Sequence, residues 1–88
     1  MIHKYPLNSS YNSGVTNLTL PTGVLLDIQA QGSQVVAWFN IFPKVDAKMN
    51  YVFEAVMTGE EPPFRGYFRT VQLGGYVFHY YVDYELQS

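Results

Sequence analysis

Histidine is the side chain best suited to moving protons near neutral pH, and it occurs only twice, at His3 and His79, with no cysteine in the chain. His79 lies in the run YVFHYYVDY, where strand alternation groups it with Val77, Tyr81 and Asp83. On an extended chain Asp83 would lie about 13 Å away, too far to orient the imidazole. A metal centre needs several converging ligands, and no His or carboxylate pair sits at ligand spacing on a common face, so no metal is expected. Ser9, Ser10 and Ser13 cluster in a loop-forming stretch and lack the strand-turn-helix frame of a G-x-S-x-G nucleophile. Glu60 and Glu61 are adjacent and diverge on an extended chain, beside Pro62 and Pro63. Gly74-Gly75 lacks the following helix that a phosphate-cradling loop requires. Neither catalysis nor a cofactor is expected.

The most suggestive stretch is RGYFRT, Arg65 to Thr70, which sets two of the five cations among aromatic rings. Interleaved arginines and rings can stack on bases or grip a phosphate. The first three residues match the opening of the RNA-recognition octamer, but Arg69 stands where that motif needs an aromatic residue. Two readings remain open beside nucleic-acid binding, which is not expected. A small anionic nucleotide could be held by Arg65, Arg69 and Tyr67, with Trp38. Alternatively, the arginines keep an aromatic strand soluble by laying their stems along it. The candidate binding residues, for a protein or a nucleotide, are Trp38, Arg65, Tyr67, Phe68, Arg69 and Tyr81.

The elements that must position these residues are strands. Period-two alternation recurs between turn residues, predicting strands over 2–7, 15–20, 24–31, 35–42, 51–57, 67–73 and 76–86. Pro6 confines the first to an edge or an end. In the third, Val24, Leu26, Ile28 and Ala30 are expected on one face and Asp27, Gln29 and Gln31 on the other. Gly32-Ser33 suits a II′ hairpin, and Gly74-Gly75 is a second hairpin signal. Pro21-Thr22-Gly23 is expected to turn the chain, Pro43 to end the fourth strand, and 44–50 to be a polar connection. No segment shows a capped 3.6-residue period. The expectation is one all-β domain over residues 1–88: a small antiparallel meander of six to seven strands, closed as a barrel or folded as a sandwich, without a helix.

Composition adds a tension. Hydrophobic residues make up 48% and aromatic residues 17% of the 88, with eight Tyr, six Phe and one Trp. Large rings let a short chain build a core. Charged residues are only 14%, against about 25% in ordinary soluble domains, although a small domain has proportionally more surface. The strand around Trp38 and the last strand, with Tyr81, carry apolar residues on both faces, and exposed aromatic strands are aggregation hazards unless covered. A homo-oligomer or a tight partner is therefore expected to cover them. The net charge of -2 lacks the basic stripe of a nucleic-acid binder. The longest apolar run, Val35 to Phe39, falls far short of a membrane span. MIHKYPLNSS has no apolar stretch after its charges, so no signal peptide is expected.

Short motifs add a resemblance: Lys4 to Leu7 (KYPL), Pro21 and Gly23, Leu26 to Gln31 (LDIQAQ), Trp38, Thr58-Gly59, Thr70 to Gln72, and Val77 to His79. In this order they resemble a small phage-encoded, β-rich domain family of unknown function. Met57, Glu60 and Arg69 depart from the family's G-T-G, following His and pre-Thr Gly. The resemblance implies phage origin and a compact β fold, but no mechanism; the expected location is the cytoplasm of the infected host cell. The expected function is a non-catalytic phage accessory protein that binds a host component, such as a defence system, through an aromatic surface. The alternatives are an oligomeric sponge for a small anionic nucleotide and a minor virion or assembly protein.

Overall fold

The computed structural model describes residues 1–7, 14–42, 44 and 46–87; the serine cluster at 9, 10 and 13 and the strand-ending Pro43 lie outside them. Seven strands form: β1 (Ile2–Pro6), β2 (Gly14–Pro21), β3 (Gly23–Gln31), β4 (Gln34–Ile41), β5 (Lys48–Met57), β6 (Gly66–Leu73) and β7 (Tyr76–Gln87). All pairings are antiparallel. They make a three-stranded sheet in the order β1-β4-β3 and a four-stranded sheet in the order β2-β5-β7-β6. The all-β expectation holds, and the layout is the two-sheet one.

Alternation puts one face of each strand between the sheets. Val35, Ala37, Phe39 and Ile41 of β4 meet Tyr51, Phe53 and Ala55 of β5, Val71 and Leu73 of β6, and Phe78 and Tyr80 of β7. Phe39 is the hub, with ring centroids of Tyr51, Tyr5 and Phe53 at 4.8, 5.7 and 6.2 Å, all edge-on. Edge-on packing sets the positive rim of one ring against the negative face of another.

Both glycine hairpins form with two-residue loops, Gln31 pairing with Gln34 and Leu73 with Tyr76. Gly32 and Gly74 adopt φ of 62° and 61°, while no non-glycine residue among those described has positive φ. That is the II′ pattern, with the left-handed residue first.

The meander does not form. Between β2 and β3 the chain passes from one sheet to the other through a single residue, Thr22. Its N–H and hydroxyl both donate to the Ala47 carbonyl, at 3.1 and 2.8 Å, and its carbonyl accepts from the Phe42 N–H at 2.8 Å. With these groups committed across the gap, β3 cannot fold back on β2. Later, β7 inserts between β5 and β6. Local patterning does not encode which strands become neighbours. The connection expected over 44–50 is also shorter, because β5 begins at Lys48 and zips with β2 from its first residue.

The third strand departs from its expected phase. Pairing shifts between Leu25 and Asp27, so one extra residue is accommodated. Leu25 packs on the core, Val24 and Leu26 are exposed, and Ile28 is fully buried. A bulge swaps the face that alternate residues occupy, so Val24 and Leu26 do not share the inward face with Ile28.

Candidate functional site

Two bulged strands frame an apolar recess. In β3, Leu26 and Asp27 together oppose Trp38; in β6, Phe68 and Arg69 together oppose Tyr80. Bulges bend a strand. The start of β3 lies near β5, since the Tyr51 hydroxyl donates to the Gly23 carbonyl at 3.2 Å. Its middle reaches β6, where Asp27 pairs with Arg69 at 2.5 Å. β3 therefore runs obliquely over one end of the four-stranded sheet.

Beneath it opens a cleft of about 360 Å³, in the range of small-ligand sites. Its roof is Gly23, Val24 and Leu25, and its floor is Met49 and Tyr51 of β5, Val82 and Tyr84 of β7, and Gly66 to Phe68 of β6. No charged side chain is among them. Gly23 must be glycine, because a Cβ would run into the Asn40 carbonyl oxygen of β4. Burial, and then the nearby Tyr84 phenol, push the Tyr51 hydroxyl above its usual pKa, so it stays neutral and donates.

The cations lie outside this cleft. Arg65 Nε contacts Glu54 at 3.0 Å and its Nη1 contacts Asp83 at 3.5 Å. Arg65 and Asp83 flank a second recess that shares Tyr84 as a wall. Arg69 is tied to Asp27, whose carboxylate also accepts from the Ile28 N–H and the Gln29 amide.

On the outer face of the four-stranded sheet, a chain of hydrogen bonds passes through His79. Its Nε2 is 2.9 Å from the Thr58 hydroxyl and its Nδ1 2.9 Å from the Thr70 hydroxyl, which in turn lies 2.8 Å from the Tyr67 hydroxyl. His79 is a half-buried strand residue, and both of its ring nitrogens meet hydroxyls. Thr70 is its cross-strand neighbour and Thr58 follows β5, so only the register reveals the set. No carboxylate joins this chain of contacts. No group of three or more metal-ligating side chains occurs among the described residues.

The structure thus gathers Arg65, Tyr67 and Tyr81 on one outer face, where the rings of Tyr67 and Tyr81 meet edge-on at 5.7 Å. Phe68 points into the cleft, and Arg69 ties the sheets together beside it. Trp38 is apart, on the outer face of the other sheet, with Lys4 Nζ 5.7 Å above its ring. Trp38 and Tyr81 are half-buried, and Val36 beside Trp38 is buried, so neighbours within the chain already cover part of the faces expected to lie open. Sequence reasoning missed the cleft residues Leu25, Met49 and Val82. Nothing in their alternation distinguishes a cleft wall from ordinary core.

The family model described as a domain of unknown function (DUF7352) matches residues 1–88. The chain belongs to this family. No curated protein and no solved structure matches it. For this DUF7352 member the cleft and the two outer faces are the material from which a function must be read. Among the described residues no helix is long and apolar enough to cross a membrane.

Proposed function

We propose that this is a phage-encoded accessory protein that works by binding, seating an apolar side chain of a host protein, such as a defence component, in the cleft under β3. The observation that carries this reading is the lining: rings and aliphatic side chains in about 360 Å³, with no charged side chain among them. A desolvated apolar pocket ringed by tyrosines is how binding surfaces capture an anchor residue. Around it, Val24, Leu26, Tyr67 and Tyr84 stay exposed and would form the contact rim. Phage origin, and with it the host cytoplasm, rests on the motif resemblance described above.

The nucleotide-sponge reading draws less support, because Arg65 and Arg69 are each held by carboxylates and face different sides of the molecule. The virion reading draws on the exposed apolar side chains alone.

The test is capture from host lysate on the immobilised domain, comparing the unaltered chain with Val24→Asp and Tyr84→Ala, both at exposed positions on the cleft. A partner recovered by the unaltered chain and lost from both variants, with melting temperatures retained, supports the reading. Recovery that ignores both substitutions overturns it. A thermal shift with a cyclic nucleotide, abolished by Arg65→Ala, would replace it with the sponge.

A further inference from the structure

We infer that two copies of this chain associate by seating Phe64 of each in the apolar cleft of the other, around a two-fold axis. Phe64 is fully exposed, more so than any other large hydrophobic side chain described. It sits in the crossover, residues 58–65, that carries the chain from the end of β5 past β7 to the start of β6. That segment is tied at both ends. The Glu60 N–H donates to the Met57 carbonyl at 3.0 Å, the Met57 N–H donates to Glu60 Oε1 at 2.6 Å, and Thr58 meets His79. Pro62 and Pro63 then fix two φ angles in succession. Pro63 is half-buried, and Arg65 is clamped by Glu54 and Asp83. A ring held out on so ordered a segment loses little freedom on docking.

The cleft suits that ring. It holds about 360 Å³ with no charged lining side chain, whereas an apolar cavity of about 150 Å³ already accepts benzene. Knob and hole also lie side by side. Phe64 is two residues from Gly66, which lines the cleft, so their Cα atoms are within about 7 Å. The clamp on Arg65 and the pairing of Gly66 with Val82 fix the two residues between, and the ring stays outside its own cleft. A patch that carries both knob and hole is self-complementary, and a two-fold axis satisfies it twice. The area agrees. A Phe ring buries about 150–250 Å² and the walls lose about as much, so two insertions remove roughly 600–1,000 Å². Val24, Tyr67 and Tyr84, exposed on the rim, add to this on both sides of the axis. The total thus passes the roughly 1,000 Å² that a specific interface needs. The nearby charges are opposite: Glu61, exposed and three residues before Phe64, is carried toward Lys48 of the second copy, the exposed neighbour of cleft-lining Met49. The inference rests on the reading of the cleft as a seat for an apolar anchor, and a host protein would have to displace the second copy's ring.

The experiment is light scattering on the purified chain over a concentration series, beside two variants at exposed positions. Phe64→Ser removes the knob, and Val24→Asp spoils the hole. The expected mass is twice the 10.1 kDa of one chain. Each variant should raise the dissociation constant by about a hundredfold or more, because symmetry removes both ring insertions at once. Mixed one to one, the two variants should pair more tightly than either does alone, since Phe64 of the Val24→Asp chain meets the intact cleft of the Phe64→Ser chain. A single-chain mass at every concentration overturns the inference. So does a mass that grows without limit, a dimer unchanged by Phe64→Ser, or a mixture no tighter than its components. Capture from host lysate separates this pairing from the binding function. A partner recovered by Phe64→Ser and lost from Val24→Asp, beside a single-chain mass for the unaltered chain, removes the pairing and leaves that function standing. A Phe64-dependent dimer with no cleft-dependent capture keeps the pairing and removes the host partner.

Discussion

Phe39 and Trp38 are adjacent in β4 and point to opposite faces, which gives them opposite energetic roles. Phe39 is fully buried under three rings. Phe39→Ala should destabilise the domain by about 3–5 kcal/mol in chemical denaturation, the range for removing a large buried ring. Trp38 is half-buried, and its indole N–H is shut from solvent with no hydrogen-bond partner. An orphaned buried donor costs about 1–3 kcal/mol. Trp38→Phe removes the orphan while keeping a ring, so its net effect should stay within about 1 kcal/mol. A second residue-scale prediction concerns pH. Burial pushes the Tyr80 phenol up to about 12, against about 10 in an unfolded chain. Between those values the unfolded state gives up the proton and the folded state keeps it, so stability is flat below pH 10 and falls as pH rises toward 12. Thermal melts across this window should show the fall, and Tyr80→Phe should reduce it.

At the scale of elements, the two hairpins offer a direct contrast. Gly74 needs φ of 61°, whereas its neighbour Gly75 does not occupy positive φ, and nothing stands within 4 Å of a Cβ at either position. Gly74→Ala should therefore destabilise by about 1–2 kcal/mol through backbone strain alone. Gly75→Ala should be neutral or slightly stabilising, since it restricts the unfolded chain. Equilibrium unfolding of the two variants checks both. Such turns were legible in the sequence because their chemistry is local, as were all seven strands and the edge position of Pro6. The bulges at Leu26 and Phe68 were not. Alternation read through Val24, Leu26, Ile28 and Ala30 is unbroken in the sequence, and only pairing with β4 shows the slip. The site suffered for the same reason. Tyr67, Phe68 and Arg69 were singled out for their types, but where each points depends on a bulge, and the partners of Arg65 come from β5 and β7.

The whole molecule measures 40 × 28 × 16 Å, a plate two sheets thick. A plate exposes more surface for its volume than a sphere, and this one covers that surface with few charges and with Ile2, Val24, Leu26, Tyr67, Tyr84 and Leu86 in the open. Near its isoelectric point of about 5.5 little repulsion remains between molecules. Solubility should pass through a minimum there, seen as a turbidity maximum when pH is scanned from 4 to 8 at fixed concentration. Leu26→Glu, which adds charge at an exposed site without touching the core, should reduce that maximum.

The position of β7 between β5 and β6 also bears on how the protein is made. Of the seven strands it is the last to be synthesised, yet it is the one that both of those neighbours require. At about 5–20 residues per second, roughly 1.5–6 s separate the completion of β5 at Met57 from that of β7 at Gln87. Throughout that interval β5 has β2 on one side and an open backbone edge on the other. Its rings at Tyr51 and Phe53 can meet Phe39 of β4 but lack the β6 and β7 side chains that complete the core around them. The nascent chain is thus most vulnerable before β7 joins β5 and β6, and a ribosome paused between β6 and β7 would present it to chaperones as an incomplete sheet.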